Sequence, residues 1–392
     1  MRIAFFSDNF YPELSGITDT IITTGLELQR RGYEICYVGP HYSPRDYRIA
    51  KRQHPERRED DTIDGMPIVR LPSLPLPFSP TGQSRFVLPL GGSFAFLAAF
   101  KPDLIHTQSP YGVGWEALHA ARRLSVPLIG TNHTAIEDFF PVPPIMRAYD
   151  AWYYNHCGFV TTPYKGLITR MREKGFRRPA RAVANPAELG AFLPATPGEK
   201  ADHRRSFGLT GPVVLFVGRL GTEKRIDVVL RAVALLVKKF PTLMFVATGH
   251  GAAEPGLKAL TRKLGISRHV QFTGFLSRAT LPHVYKTADV FAMMSTSDSQ
   301  SIALMQAYAS GIPAVCARSR GLPDYTPSDC GFLVEPGDYR ALAEKISLLL
   351  IDRALKERMS AGARNFVKQF SPDTIAREWE NIYESAIDDF KT

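Results

Sequence analysis

Cysteine is scarce in this chain of 392 residues. The four present, Cys36, Cys157, Cys316 and Cys330, show neither metal-ligand spacing nor a disulfide ladder. That excludes a disulfide-rich secreted scaffold and points to a reducing, cytoplasmic compartment. Long apolar runs are missing as well. The strongest, residues 86–100, is broken by Pro89, Gly91 and Gly92 and is too short to span a bilayer. No G-x-G-x-x-G spacing is found, which counts against a dinucleotide enzyme. No zinc-finger or RNA-binding signature occurs either. The densest basic cluster, Arg170, Arg172, Lys174, Arg177, Arg178 and Arg181, has no aromatic array interleaved with it, so nucleic acid is the least favoured partner. The opening Met1-Arg2-Ile3-Ala4-Phe5-Phe6 reads as a strand that starts at once, with no cleavable leader expected.

What is present is enough apolar material, 44% of the residues, for two cores, and the length favours two domains. The net charge of +10 favours anionic partners such as a phosphorylated substrate or the surface of an acidic membrane. Strand-like runs alternate with helix-length amphipathic segments. Strands are expected at residues 2–7, 34–39, 103–107, 128–131 and 158–162, with a helix over 18–31. Residues 45–64 are charged and apolar-poor, and read as an exposed loop. Residues 72–80 carry four prolines and cannot form a regular helix. A polar segment over about 185–207 reads as a linker. Beyond it the alternation resumes with strands at 213–218, 243–248, 270–273, 290–294 and 314–317. The class is therefore α/β, with two doubly wound domains whose strand ends line a cleft. The expected boundaries are 1–190 for the first domain and 191–370 for the second. Residues 371–392 form a final helix that packs back on the first domain, because Trp379 needs burial.

Four segments could carry chemistry. Ser15-Gly16 opens the first helix, where a glycine lets a ligand approach the backbone and the free amides favour a phosphate. The plain alternative is an unliganded turn. Gly218-Arg219-Leu220-Gly221-Thr222-Glu223-Lys224 leaves the first strand of the second domain and places two cations at its end, suited to a diphosphate or to a merely solvated turn. Asp298, Ser299, Gln300, Ser301 and Ile302 lead into a helix that also carries Gln306, with Asp298 either a substrate ligand or an N-cap. His133, in Asn132-His133-Thr134, ends a first-domain strand, where a histidine is either structural or turned to a ligand.

In this order and at these separations, the segments resemble the retaining glycosyltransferases of family 4, with the GT-B fold of two Rossmann-like domains. The Thr248-Gly249-His250-Gly251, Phe272-Thr273-Gly274-Phe275 and Gly311-Ile312-Pro313-Ala314-Val315 segments extend the resemblance over essentially the whole chain. It implies a hexosyltransferase that uses a UDP- or GDP-sugar as co-substrate and needs no metal or other cofactor. By position, Gly16 and Gly249 would lie near the donor, with Arg219 and Lys224 neutralising its diphosphate. Phe275 would approach the base, His133 the transferred sugar and its β-phosphate, and the amides of Ser299, Gln300, Ser301 and Ile302 the sugar hydroxyls and phosphate. The family's acidic pair falls on Asp298 and Gln306, so the charge is kept at one position and lost at the other. The amide oxygen of Gln306 is still able to accept from a ribose hydroxyl. Ser15 stands where a glycine is usual.

The lipid-glycosylating branch is the most similar, which implies a membrane glycerolipid or other hydroxyl acceptor. It also implies peripheral docking on the inner face of an anionic membrane through the Arg170 to Arg181 cluster, Phe78, Phe86 and Leu88. A nucleotide-sugar epimerase or hydrolase of the same fold, and a non-catalytic sugar-nucleotide or lipid-binding protein, are the competing readings.

Overall fold

The computed structural model describes residues 1–13, 15–51, 61–76, 82–133 and 148–391. Phe78, Thr134 and the rest of the segment after His133 up to residue 147 lie outside them. The chain divides into two compact units, Met1–Pro186 together with Phe370–Thr392, and Ala187–Gln369.

In the first unit, eight strands form one sheet among the described residues. Their spatial order is Ala180–Ala182, Phe159–Thr162, Leu128–Thr131, Leu104–Thr107, Arg2–Phe6, Glu34–Pro40, Met66–Leu71 and Thr62–Ile63. All neighbours are parallel except the last pair. The strand order reverses direction between Arg2–Phe6 and Leu104–Thr107, a topological switch point of the kind at which open α/β sheets bind ligands. The central strands are buried on both faces, as helix-covered parallel strands must be.

The second unit has six strands, all parallel, in the order Val270–Gly274, Met244–Thr248, Val213–Val217, Val290–Met293, Ala314–Ala317 and Gly331–Val334. Here the reversal falls between Val213–Val217 and Val290–Met293.

The final helix, Pro372–Lys391, buries Ile375, Ala376, Trp379, Ile382 and Tyr383, one stripe at helical spacing, in the core of the first unit. Arg31 pins it there through ion pairs with Asp373 and, at 2.9 Å, with Glu380.

Two expectations fail. Residues 45–64 are not one exposed loop, because Pro44–Lys51 is a helix and Thr62–Ile63 a strand. The Asp46 carboxylate accepts from both the amide and the hydroxyl of Ser43, and Asp46 and Ala50 turn inward one turn apart. The polar segment 185–207 is also not merely a linker, because Pro197–Ser206 is helical. Thr196 and Glu199 form a capping box around Pro197, and Lys200 and Arg204, one turn apart, clamp the buried Asp289. These local signals outweigh a composition with nothing to bury. The proline-rich stretch contributes Ser73–Pro75, which pairs antiparallel with Arg85–Val87.

Candidate active site

At the switch point of the second unit the backbone is drawn tight before any side chain is placed. Strand Val213–Val217 ends at Gly218, and the neighbouring strand Met244–Thr248 ends at Gly249, whose φ of 130° suits glycine. A Cβ on Gly249 would lie 2.1 Å from the Gly218 carbonyl oxygen, so only glycine lets the two strand ends pass this closely. From there Thr222–Lys224 forms one 3₁₀ turn, Arg225 takes the left-handed conformation, and helix Ile226–Leu236 begins. The turn aims the cations. Lys224 Nζ lies 2.9 and 2.8 Å from the two carboxylate oxygens of Asp298, with both side chains mostly buried. Arg219 is more open, 41% exposed, and pairs with Glu223 at 2.7 Å. Burial alone would push the Asp298 carboxyl up. The Lys224 charge and its hydrogen bond, a bond from Ser295 and the Arg219 charge outweigh it and hold Asp298 below the ordinary carboxylate value. The two cations that the sequence offers to a diphosphate are thus each held by a carboxylate.

The loop that carries Asp298 is braced from two sides. Thr296 donates its amide to the Glu223 carbonyl at 3.0 Å, and Gly321 donates to the Asp298 carbonyl at 3.1 Å. Arg320 Nε reaches the Thr296 carbonyl at 3.2 Å. Gly321 sits so close that a Cβ there would fall 1.6 Å from the Ser299 carbonyl oxygen. Helix Ile302–Ala309 is capped by Ser301, whose hydroxyl accepts from the Leu304 amide, so the cap is Ser301 and not Asp298. Gln300 is buried and Ser299 partly so. Gln306 projects from the second turn. Its amide oxygen, expected to accept from a ribose hydroxyl, already accepts from the buried Tyr285 hydroxyl at 2.9 Å, which leaves Nε2 as the donor. Phe275 follows Gly274 with its ring 45% exposed.

The first unit's switch point carries imidazole, amide and hydroxyl groups where the second carries cations. Ser15 caps helix Gly16–Arg30 by accepting from the Thr18 amide at 3.1 Å, which accounts for serine at this position. A Cβ on Gly16 would meet nothing within 4 Å, so space is open there. His133 is buried, and its Nε2 lies 2.8 Å from the amide oxygen of Gln108. Gln108 Nε2 in turn lies 3.0 Å from His106 Nε2, and His106 Nδ1 lies 2.9 Å from the Tyr383 hydroxyl. Burial pushes the His133 imidazole down to about 4, and burial followed by the nearby His133 pushes His106 well below the ordinary value. Both rings are neutral at pH 7.

Sequence reasoning missed Gln108, His106, Glu223, Arg320 and Gly321. A Gln or His one residue past a buried strand is a signal of the same kind as His133, and it was available at residues 106–108. The braces from Glu223 and Gly321 act through backbone atoms, so no residue type announces them. Asp8 was missed as well. It is buried at the end of the first strand, where it accepts from Ser109 at 2.6 Å and from the Val113 amide at 2.9 Å.

Two parallel, doubly wound sheets, the second with a paired cationic turn at its switch point, define the GT-B class of glycosyltransferase. Residues 14–191 match the family described as Glycosyltransferase Family 4, and residues 199–366 the family described as Glycosyl transferases group 1. The chain belongs to the family 4 glycosyltransferases and is a hexosyltransferase. It is 28% identical to a GDP-mannose-dependent alpha-mannosyltransferase of Mycobacterium tuberculosis over 98% of this chain and 97% of that one. It is also 28% identical to an alpha-monoglucosyldiacylglycerol synthase of Streptococcus pneumoniae, over 80% of this chain and 70% of the relative. Among solved structures, Anabaena HepE in complex with UDP superposes with a TM-score of 0.79 at 19% identity, covering 98% of this chain and all of the other.

Proposed function

We propose that the chain transfers a hexose, with retention, from a UDP- or GDP-sugar to a hydroxyl of a membrane glycerolipid. The observation that carries the lipid part is the outer face of the hairpin formed by Ser73–Pro75 and Arg85–Val87. Leu74 and Phe86 are register partners, and Leu76 and Leu88 lie two residues further along each strand, so all four share a face. With Leu90 they are exposed by 65, 45, 44, 56 and 84% respectively. Four large apolar side chains on one exposed face, with Leu90 exposed close by in sequence, are far more than scattered surface leucines. The opposite face anchors the hairpin, with Val87 fully buried and Arg85 bonded to Ser73 at 3.1 Å and paired with Asp46 at 3.8 Å. The helix that carries Asp46 also exposes Arg45 and Arg48, basic groups suited to anionic lipid. Among the described residues no helix is long and apolar enough to cross a membrane.

The Arg170 to Arg181 cluster supports docking less. Arg172 bonds the carbonyls of Phe176 and Arg178, Arg178 that of Asn155, and Arg181 pairs with Glu378 at 2.8 Å. The hairpin replaces it in this reading, with Phe86 and Leu88 kept.

The donor's diphosphate binds at the second unit, where Arg219 and Lys224 turn from their carboxylates to the phosphate oxygens. Asp298, released from Lys224, holds a sugar hydroxyl, and the amides at Ser299 to Ile302 bind sugar and phosphate. The acceptor hydroxyl attacks the anomeric carbon on the face from which the diphosphate leaves. The bond to the β-phosphate oxygen breaks, and that oxygen takes the hydroxyl proton. Protein cations stabilise the leaving charge, so chelator is expected to leave turnover unchanged.

The test is radiolabel transfer from a panel of UDP- and GDP-sugars to lipid extract, with chelator present. Labelled lipid supports the reading and names the donor. Free nucleotide without labelled lipid favours hydrolysis or a soluble acceptor. Donor binding without turnover overturns the enzyme reading. Leu88→Ser with Leu90→Ser is expected to abolish flotation with anionic vesicles while leaving transfer to detergent-dispersed lipid.

A further inference from the structure

We propose that Gln108 is a positioning residue for the transfer reaction. Its side-chain amide, oriented by His106, holds the His133 imidazole as the Nε2–H tautomer and leaves Nδ1 as an acceptor for a sugar hydroxyl. The inference rests on the assignment of His133 to the sugar site in the proposed function.

The argument begins with placement. Gln108 is the first residue beyond strand Leu104–Thr107, at the first unit's switch point, and its amide donates to the Phe6 carbonyl at 2.8 Å. Its backbone is therefore tied to both strands that flank the reversal, and its side chain is buried. An amide oxygen can only accept, so the 2.8 Å contact with Gln108 Oε1 requires a proton on His133 Nε2. The other end of the same amide can only donate, so the 3.0 Å contact with His106 Nε2 requires a lone pair there. A neutral His106 then carries its proton on Nδ1 and donates to the Tyr383 hydroxyl at 2.9 Å. Thr131 Oγ1 lies 2.7 Å from His106 Nε2 and 2.7 Å from Thr161 Oγ1. With the amide in this orientation each assignment follows from the last. Rotating the Gln108 amide would place oxygen against the His106 lone pair and N–H against the His133 proton, so it demands a change of tautomer at both rings.

The surroundings contain nothing that competes. His106 and His133 share a small cavity with Thr20, Thr24, Asn185 and Trp379 among its walls, and the two imidazoles are the only titratable groups that line it. Tyr383, from the final helix, is the remaining titratable group in the chain of bonds, and Trp379 packs its ring 4.6 Å from that of His106. No carboxylate or cation lines the cavity, so neither imidazole gains a charge partner and the neutral forms persist, in line with the lowered values of both. Among the described residues His133 Nδ1 has no partner. A neutral ring with a fixed tautomer offers one lone pair in one direction, and needs no reorganisation when a hydroxyl arrives.

The test begins with the full-length wild-type protein, labelled with 15N-histidine. The proposal requires His133 to show a protonated Nε2 and an unprotonated Nδ1, unchanged from pH 8 to pH 5. A protonated Nδ1, or an imidazolium at pH 6, overturns it without any variant having to fold. The second measurement is transfer kinetics. Gln108→Leu is expected to lower kcat by roughly tenfold to a hundredfold, with the donor KM little changed. Gln108→Glu keeps an acceptor for Nε2–H. It should recover most of kcat at high pH and gain an acid limb as the carboxylate raises the His133 pKa. If both variants merely lose thermal stability and keep kcat and its pH profile, the role is structural and the inference falls. His133→Ala separates the two levels. Full activity there overturns the placement of His133 in the site, whereas an impaired His133→Ala beside a fully active Gln108→Leu overturns only the positioning role.

Discussion

The two sheets reverse their strand order in the same way and finish on opposite kinds of polar site. In the second unit, the switch point carries two cations and two carboxylates, with Lys224 on Asp298 and Arg219 on Glu223, partly open to solvent. In the first unit, the corresponding position carries two neutral imidazoles joined by an amide, all buried. The difference matches two chemical needs. A departing diphosphate calls for mobile positive charge that is already balanced when the site is empty. Orienting a neutral sugar, the role proposed for His133, calls for direction and not charge, which a fixed tautomer would supply.

The largest expected effect breaks the charged half. Lys224→Ala removes the cation and leaves Asp298 without its partner. Transfer should fall by about 10²–10³ in kcat, the loss typical of a transition-state charge partner. A steady-state rate within a few-fold of wild type would end the assignment.

Acid should separate the halves next. A His133 pKa of about 4 in the fold, against about 6.5 in the unfolded chain, means that the unfolded state binds a proton that the fold refuses. The first unit therefore loses stability as pH falls from about 6.5 to 4, on the order of 3 kcal/mol from this group. Asp289 in the second unit has a dependence of the same sign in a lower pH window. Burial pushes it up, but Lys200, Arg204 and Lys356 overcome this and hold it at about 2. Its contribution is present above about pH 4 and is lost only as pH falls towards 2. Trp115, Trp152 and Trp379 all lie in the first unit, so urea unfolding followed by tryptophan emission at pH 7 and pH 5 reads that unit alone. Equal midpoints at the two pH values would contradict the buried neutral imidazoles.

Two glycines sharpen the comparison at smaller scale. Gly249→Ala forces a methyl against the Gly218 carbonyl at a left-handed φ, and should destabilise the second unit by about 1–3 kcal/mol. Gly16→Ala meets open space and should leave the stability of the first unit within about 0.5 kcal/mol of wild type. Scanning calorimetry on the two variants checks both, and a reversed order would show that the open space at Gly16 is illusory. A further modest effect is expected at Tyr383→Phe, which deprives His106 Nδ1 of its acceptor. It should cost about 1 kcal/mol in the first unit by the same tryptophan titration.

The sequence by itself determined the class of this protein. Runs such as Val213-Val214-Leu215-Phe216-Val217 can only be strands buried on both faces, and their alternation with amphipathic segments dictates doubly wound sheets. It also singled out the charged residues of the second unit's switch point, because Arg219, Lys224 and Asp298 are residue types that stand out at strand ends. Where charge hid structure, the reading failed. The segments around Pro44–Lys51 and Pro197–Ser206 are polar, yet capping contacts and a clamp on the distant Asp289 make them helices. Only the tertiary structure decided who holds whom. Lys224 and Asp298 are 74 residues apart, His106 and Tyr383 are 277 apart, and Glu223 and Gly321 brace the loop that carries Asp298 with backbone atoms common to every residue. Composition and spacing register what a side chain is. The partner it meets depends on which strand ends the fold brings side by side.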